Sequence, residues 1–293
     1  MKRKVMGLCL AIVMVISLAS CLSVSVNAEV YKDGWVNEGG TWYYYDDGAM
    51  VTGWKEIPDD DGYWYYFNGD GSMVTGWKQF GLDWYYFRSS GTMVSEAWQN
   101  VGGKWYYFDE DGVMVTGWKE IPDEYYENWY WYYFNSSGAM VTGWKQFGKV
   151  WYYFKPSGAM ACAEWKKVGG TWYYFKDSGI MATGWQKIDG AWYYFNSSGA
   201  MEIGWKKSGG KWYYLKSSGV MASDEWQKIG GKWYYFDYDG KMLTGWQYLG
   251  REESDRLTVY DWYYFRSDGS MVTGNVKIGG KTYNFSSNGA WIS

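Results

Sequence analysis

The chain has 293 residues, with 28 Lys and Arg against 32 Asp and Glu, no histidine and three cysteines. The absence of histidine excludes Ser-His-Asp and Cys-His catalysis and every histidine metal site. Aromatic residues make up 23% of the chain, including 24 Trp and 32 Tyr. Because Trp and Tyr bury large areas, the composition predicts a protein that folds around rings and glycine turns.

The first residues have the features of an export signal. Three basic residues at positions 2–4 precede an apolar run from Val5 to Leu18, and Val26-Asn27-Ala28 supplies a cleavage site. We predict a signal peptide over residues 1–28, then a short lead-in over residues 29–33. Ser and Asn interrupt the apolar run, so no integral membrane span is expected in the mature form. Leu18-Ala19-Ser20-Cys21 also resembles a lipobox, which would give a protein lipid-anchored through Cys21.

Cleavage after Ala28 would remove the charges of Lys2, Arg3 and Lys4 and take the net charge from −4 to −7. The mature protein is therefore expected to be acidic and extracellular. Cys162 would be its one cysteine, so no intramolecular disulfide can form. With no histidine to activate it, Cys162 is interpreted as a buried small residue.

An internal repeat covers the rest of the chain. Its mark is a Trp-Tyr-Tyr-Phe tetrad, with conservative changes, whose starts are usually 20 or 21 residues apart. The tetrads begin at Trp42, Trp64, Trp84, Trp105, Trp131, Trp151, Trp172, Trp192, Trp212, Trp233 and Trp262, and a degenerate twelfth reads Thr282-Tyr283-Asn284-Phe285. Most tetrads are followed by a polar stretch ending in Gly, then by Met, then by Gly-Trp.

This order of residues predicts a β-hairpin in each unit. The tetrad favours a strand, the polar stretch a turn with glycine at positive φ, and the segment through Met a short return strand. Alternate side chains of a strand share a face. We therefore expect Trp105 and Tyr107 on one face, and Tyr106 and Phe108 in the core on the other.

A lone hairpin is barely stable in water, so the hairpins are expected to stack. The sequence predicts an all-β solenoid of about twelve stacked β-hairpins over residues 34–293. Long insertions precede the tetrads at Trp64, Trp131 and Trp262, and one extra residue precedes Trp98, Trp165 and Trp226. Both kinds of insertion have a period of three, which suggests roughly three hairpins per superhelical turn. The degenerate last unit is interpreted as a polar end cap.

The succession Gly-Trp, polar linker, Trp-Tyr-Tyr-Phe, Ser-Gly, Met, Thr-Gly-Trp resembles the choline-binding (cell-wall-binding) repeats of Gram-positive surface proteins and autolysins. The resemblance implies that choline sits between consecutive hairpins, in a cage of three rings with the repeat Met nearby. Two rings are the Gly-Trp Trp and the tetrad Trp of one unit, and the third is a tetrad Tyr of the next. The implied cages are Trp35, Trp42, Tyr66; Trp54, Trp64, Tyr86; Trp77, Trp84, Tyr107; Trp98, Trp105, Tyr133; Trp118, Trp131, Tyr153; Trp144, Trp151, Tyr174; Trp165, Trp172, Tyr194; Trp185, Trp192, Tyr214; Trp205, Trp212, Tyr235; and Trp226, Trp233, Tyr264. An eleventh cage is expected to fail because Asn284 replaces the Tyr.

The chemistry of the ligand agrees with such cages. A quaternary ammonium donates no N–H hydrogen bond, so it needs electron-rich ring faces, each worth about 0.5–2 kcal/mol. A site of this kind binds only in the millimolar range. Ten such sites facing a polymer gain avidity. We therefore expect a non-catalytic extracellular protein that binds choline of teichoic or lipoteichoic acids in the cell wall.

Two other functions remain open at this stage. The rings could stack on glucan or another wall polysaccharide, or the repeats could be the wall-targeting module of an autolysin system. No catalytic residue, cofactor or metal is expected, and the acidic charge argues against nucleic acid as a partner. Glu96, Glu164 and Glu225, beside the irregular Trp positions, are interpreted as a solvated edge. The sequence does not indicate an oligomeric state.

Overall fold

The computed structural model describes residues 31–58, 62–254 and 257–293. The predicted signal peptide and the lipobox at Cys21 lie outside these ranges. The described residues form β-strands and turns, and none of them belongs to a helix that could span a bilayer. The all-β prediction is confirmed, and the described part of the chain contains twelve hairpin sheets.

The chain forms two compact units that meet in sequence between Val94 and Ser95. The strands of the first unit are β1 (Gly34–Glu38), β2 (Thr41–Asp46), β3 (Ala49–Met50), β4 (Gly53–Ile57), β5 (Tyr63–Phe67), β6 (Gly76–Phe80) and β7 (Asp83–Phe87). They pair as a three-stranded sheet β1-β2-β3 and as the hairpins β4-β5 and β6-β7.

The second unit contains nine hairpins in its described part. Its strands are β8 (Ala97–Val101), β9 (Lys104–Phe108), β10 (Gly117–Pro122), β11 (Trp129–Phe134), β12 (Gly143–Phe147), β13 (Val150–Phe154), β14 (Glu164–Val168), β15 (Thr171–Phe175), β16 (Gly184–Ile188), β17 (Ala191–Phe195), β18 (Gly204–Ser208), β19 (Lys211–Leu215), β20 (Glu225–Ile229), β21 (Lys232–Phe236), β22 (Gly245–Ser254), β23 (Leu257–Phe265), β24 (Gly274–Ile278) and β25 (Lys281–Phe285). Each consecutive pair from β8-β9 to β24-β25 forms one antiparallel hairpin.

The strands of each hairpin differ from the predicted ones. The Gly-Trp strand pairs with the tetrad that follows it. The segment after the tetrad forms the two-residue strand β3 in the first sheet and only a single bridge, such as Phe154 to Met160, in the others. A Gly-Gly turn explains the pairing: Gly169 and Gly170 have φ of 57° and 85° and connect β14 to β15. Two successive residues at positive φ match the twist of paired strands and favour a two-residue hairpin.

The irregular units with one extra residue change the backbone before the Trp. In regular units the glycine of Gly-Trp is left-handed, as in Gly143 with φ of 77°. In the irregular units a non-glycine residue one place earlier becomes left-handed: Glu96 (φ 42°), Ala163 (φ 48°) and Asp224 (φ 50°). The amide of each donates a hydrogen bond to a carbonyl after its tetrad, as Ala163 N does to Lys176 O at 3.1 Å. These bonds offset the cost of a left-handed side chain.

The core of each unit lies between successive hairpins. The tetrad Phe, Phe154 for example, is fully buried, so the predicted core position of this residue is confirmed. A backbone hydrogen bond also joins neighbours, since Met160 N donates to Trp131 O of the preceding tetrad at 2.8 Å. Cys162, in contrast, is exposed, and its interpretation as a buried residue was wrong.

The last hairpin carries an aromatic residue that the polar-cap prediction did not include. Trp291 bridges Phe285, as Met does in the other units, and its amide donates to Trp262 O at 2.8 Å. Its ring lies 5.9 Å from that of Trp246. The cap is therefore partly apolar. Three hairpins per superhelical turn stays a prediction.

A pair of glycine substitutions is expected to separate backbone strain from packing. Gly143 and Gly158 both have positive φ, so alanine at either should cost about 1 kcal/mol or more. A Cβ at Gly143 would meet nothing within 4 Å, whereas one at Gly158 would lie 2.2 Å from Met140 Sδ. Urea unfolding should therefore show a larger loss of stability for Gly158→Ala than for Gly143→Ala. Equal losses would mean that the Met contact contributes nothing.

Candidate functional site

One face of each hairpin presents three rings that belong to that hairpin. In β12-β13, Trp144 lies directly across the ladder from Tyr153, and their ring centroids are 5.2 Å apart. Trp151 lies on the same face, with its centroid 6.3 Å from Trp144 and the two planes at 85°. The pairing register and the two-residue alternation of strands thus bring these three side chains together.

The other face of the next hairpin covers this ring group. Tyr173 and Phe175 alternate with Trp172 and Tyr174 in β15, so they point the opposite way. Their centroids lie 4.8 Å and 5.6 Å from Trp144. Within each unit, equivalent contacts between a Gly-Trp Trp and the second tetrad residue of the next hairpin range from 4.8 to 5.3 Å. Edge-to-face packing of this kind stabilises aromatic pairs by about 0.5–1.5 kcal/mol beyond burial.

Within each unit, the tyrosine that the next hairpin brings to the Gly-Trp indole is the second tetrad residue, whereas the resemblance implied the third; the composition of the cages stays a prediction. The third tetrad residue, such as Tyr174, packs on the Trp of its own hairpin, Trp165, at 5.2 Å. This own-hairpin contact is seen for Tyr66, Tyr86, Tyr107, Tyr133, Tyr153, Tyr174, Tyr194, Tyr214, Tyr235 and Tyr264. The residues contributed by the next hairpin are instead Tyr65, Tyr85, Tyr132, Tyr152, Tyr173, Tyr193, Tyr213, Tyr234, Tyr263 and Tyr283.

The tryptophan pairs themselves come together in most hairpins. Ring contacts of 6.2–6.5 Å join Trp35 to Trp42, Trp54 to Trp64, Trp77 to Trp84, Trp118 to Trp131, Trp144 to Trp151, Trp165 to Trp172, and Trp205 to Trp212. In the described residues, no such contact joins Trp98 to Trp105, Trp185 to Trp192, or Trp226 to Trp233. The predicted triad of Trp77, Trp84 and Tyr107 has members in both units, and it stays a prediction.

A pocket in the first unit shows how an ordinary ring group is enclosed. It has a volume of about 520 Å³ and is lined by Trp35, Trp42, Tyr63, Tyr65, Met73, Ser89, Ser90 and Thr92. Trp42 keeps 44% of its surface exposed and forms one side of the opening. Met73 is held beside it because its amide donates to Trp42 O at 2.8 Å. Among the residues that the structure describes, the walls combine rings, a thioether and hydroxyls, with no charged side chain.

The rings already hold ammonium groups of the protein itself. Lys78, Lys145 and Lys206 lie over Tyr66, Tyr133 and Tyr194, with Nζ 5.6, 5.7 and 3.7 Å from the ring centroids. For Lys206, burial acts to lower the pKa. The hydrogen bonds to Glu202 and Tyr194 outweigh burial, and the pKa is raised.

A second pocket, of about 840 Å³, lies between β20-β21 and the elongated hairpin β22-β23. Its lining residues are Asp224, Glu225, Trp226, Trp233, Tyr235, Tyr248, Leu249, Gly250, Arg251, Tyr260, Met271 and Asn288. The Tyr235 hydroxyl donates to Asp224 Oδ1 at 2.7 Å. Burial and this carboxylate raise the pKa of Tyr235 above its ordinary value. Unlike the first pocket, this one contains acidic side chains.

Sequence reasoning missed two contributors to the pockets. The second tetrad tyrosine was assigned only to the core, although Tyr65 is both buried and a pocket wall. The tyrosines of the long hairpins, Tyr63 and Tyr260, were treated as parts of insertions. Tyr63 and Tyr260 lie just before the tetrad, on the strand that pairs with the Gly-Trp segment. This position in the sequence could have indicated that they line the pockets.

Comparisons with known proteins agree with this architecture. The profile of the family described as "Choline-binding repeat" matches residues 51–98, 95–130, 127–165, 162–201, 182–226, 224–254 and 259–293. The profile described as "Putative cell wall binding repeat" matches residues 33–50. No curated protein sequence matches the chain significantly.

Solved structures from Streptococcus pneumoniae are similar to the chain. CbpJ is 31% identical, with a TM-score of 0.55 over 88% of this chain and 99% of that one. Choline-binding protein F is 32% identical, with a TM-score of 0.53 over 89% and 98%. It has also been solved in complex with ipratropium. The modular autolysin LytC is 32% identical, with a TM-score of 0.51 over 75% of this chain and 47% of LytC.

The Tyr235–Asp224 contact predicts a pH dependence. Because the folded protein favours the protonated phenol, the stability that Tyr235 contributes is present below the ordinary tyrosine pKa of 10.0 and is lost as the pH rises above it. Asp224→Asn removes the charge, so it should lower the Tyr235 pKa. Absorbance titration of phenolate should then show one tyrosine that ionises at lower pH in Asp224→Asn than in the parent, while burial, the larger cause, still holds its pKa above the ordinary value. Identical curves would contradict the assignment.

Proposed function

The chain belongs to the choline-binding repeat family, and on that premise we propose that it captures choline groups of teichoic or lipoteichoic acids at the bacterial surface. The proposed sites are the aromatic pockets between successive hairpins, each with two tryptophans from one hairpin and a tyrosine from the next. The proposed role is binding without catalysis. Proteins with these repeats are associated with the cell wall, which agrees with such a role.

The observation that carries the proposal is the pocket lined by Trp35, Trp42, Tyr65 and Met73, which offers ring faces and, within the described part of the chain, no charged wall. A trimethylammonium group needs such surroundings, because it has no N–H group to donate to a hydrogen-bond acceptor. The lysines over Tyr66, Tyr133 and Tyr194 support it further, since these rings already accept positive charge in the folded protein.

The number of pockets compensates for the weakness of each one. Three rings, less the cost of association, give about millimolar affinity. A polymer that displays many choline groups can occupy several pockets at once, so that each further contact is intramolecular and the overall affinity rises steeply. An acidic protein would not hold phosphate-rich polymers through their phosphates, and capture through the choline cation avoids this repulsion.

The proposed location is outside the cell, reached through the signal peptide over residues 1–28, with attachment to the wall through the pockets. Lipid attachment at Cys21 is the alternative route to the surface. The alternative ligand is glucan or another wall polysaccharide, stacked on the same rings. If the repeats instead serve as the wall-targeting module of an autolysin system, they would use the same pockets.

Chromatography on a diethylaminoethyl resin tests the ligand class. Because the protein is acidic, ion exchange would retain it at low salt, so the column is washed at about 1 M salt, where exposed charges are screened. We expect retention through that wash and release by free choline. Release by glucose polymers but not by choline would replace the choline proposal with the polysaccharide one.

Removing one exposed ring should weaken choline binding at one site. Trp151→Leu takes away a pocket wall that is 38% exposed, so the fold should survive. In a choline titration followed by indole N–H resonances, the shift of Trp144 should require a roughly 2- to 30-fold higher choline concentration, because each ring contributes about 0.5–2 kcal/mol. The control is Trp129→Leu, an equal change at a tryptophan that is 56% exposed and outside every triad.

The same titration distinguishes the two candidate tyrosines. Tyr173→Leu should weaken choline at the Trp144 pocket, since Tyr173 lies 4.8 Å from that indole. Tyr174→Leu should act instead on the pocket of Trp165, its neighbour at 5.2 Å. The reverse pattern would restore the tyrosine implied by the repeat resemblance.

A further inference from the structure

Two places in the second unit combine both kinds of insertion, and each carries an acid. Glu96 and Asp224 occupy the left-handed position before an irregular Trp, at the start of β8-β9 and β20-β21. The next hairpin along the chain, β10-β11 or β22-β23, is elongated. Tyr126 of one long hairpin donates its hydroxyl to Glu96 Oε1 at 3.3 Å. At the other place, Tyr260 of the long hairpin lines the same pocket as Asp224. The arrangement of acid, indole and inserted tyrosine is thus built twice.

The third irregular unit provides an internal comparison. Its left-handed residue is Ala163, at the start of β14-β15. The next hairpin along the chain, β16-β17, has the ordinary length. It therefore lacks both the carboxylate at this position and the inserted tyrosine. The described walls of the Trp35 pocket also include no acid. A carboxylate at the left-handed position, with an inserted tyrosine in the next hairpin, is therefore found at two particular places rather than throughout the repeat.

The Asp224 charge is available to a ligand. The neighbouring Glu225 is already paired with Lys216, 2.9 Å away. Asp224 takes part in no ion pair with another described residue, and its recorded partner is the neutral Tyr235 hydroxyl, bound through Oδ1. Arg251 also lines the pocket, but no ion pair joins it to Asp224 among the described residues. One carboxylate oxygen can therefore face the pocket interior.

A carboxylate beside ring faces favours a different cation from the one that suits rings alone. A quaternary ammonium gains only charge attraction from it, whereas a protonated amine also donates a short, charge-assisted hydrogen bond. In an uncharged ring pocket the same N–H would lose its water without a replacement, which is costly. The larger volume, about 840 Å³, also admits more than one methylated headgroup.

We propose that the Asp224 pocket, and by the same construction the Glu96 site, binds organic cations that carry N–H groups, namely primary to tertiary ammonium compounds, in preference to quaternary ones. This rests on the proposed function in that the same rings hold the cation. It differs in assigning two kinds of pocket to one chain. The ordinary pockets select for methyl groups, and the acidic pockets select for hydrogen-bond donors.

The test uses three ligands that differ only in methylation: choline, N,N-dimethylethanolamine and ethanolamine. Site occupancy is followed through the indole N–H of Trp226, which donates to Gly250 O at 3.3 Å, with Trp35 reporting on an ordinary pocket. We expect ethanolamine to bind more tightly than choline at Trp226 and more weakly than choline at Trp35. Trp226→Phe and Trp35→Phe assign the two resonances.

Asp224→Asn keeps an oxygen that can accept the Tyr235 bond but removes the charge. It should weaken ethanolamine at Trp226 about tenfold, the size of one charge-assisted hydrogen bond. Choline at the same site should change much less. Asp239→Asn is the matched control, because Asp239 pairs with Lys241 in the turn that follows the tetrad, outside the pocket. Glu96→Gln, read at Trp98, repeats the test at the second site.

The outcomes separate the two proposals. The inference is overturned if choline binds Trp226 at least as tightly as ethanolamine, or if Asp224→Asn weakens both ligands equally. The proposed function fails if choline shifts neither indole, whatever ethanolamine does. Ethanolamine preference at Trp226 together with choline preference at Trp35 supports both.

Discussion

The contact between the Gly-Trp indole of one hairpin and the second tetrad tyrosine of the next is the interaction on which the architecture of each unit depends. A two-stranded hairpin cannot bury enough surface alone, and here it buries its rings against its neighbour. The indole of Trp144, for example, contacts Trp151 and Tyr153 of its own hairpin and Tyr173 of the next. The buried Phe and the hydrogen bond from the Met amide to the preceding tetrad then fix the spacing between hairpins.

This arrangement gives the rings two tasks that are divided by exposure. The tetrad Phe is fully buried and serves packing alone, while the tetrad Trp keeps about two fifths of its surface open, 42% in the case of Trp172. The Gly-Trp indole and the second tyrosine vary from unit to unit, from the fully buried Tyr263 to Trp54, which is 39% exposed, and they belong to both core and pocket. Binding surface therefore arises wherever two hairpins meet, without a separate domain to carry it.

The repeat and the all-β fold could be predicted from the sequence, because tetrad spacing and strand alternation are local patterns, whereas the tryptophan pairs were implied by the repeat resemblance. The choice between Tyr173 and Tyr174 could not, since alternation defines two faces but does not say which one meets the neighbouring hairpin. That choice follows from the ladder register of Trp165 with Tyr174. The Gly169-Gly170 turn was a readable signal of this pairing. Trp291, at a position where the other repeats have Met, is visible only once the last hairpin is seen to pair as the others do.

Methionine at the seam between repeats also gives the fold a chemical weakness. The thioether of Met140 lies against Gly158, where even a single added carbon would come within 2.2 Å of the sulfur. Oxidation to methionine sulfoxide would place a polar oxygen on a sulfur that is packed closely against the neighbouring repeat. Peroxide would therefore be expected to weaken the packing between successive hairpins, and a reductase that restores the thioether would restore that packing.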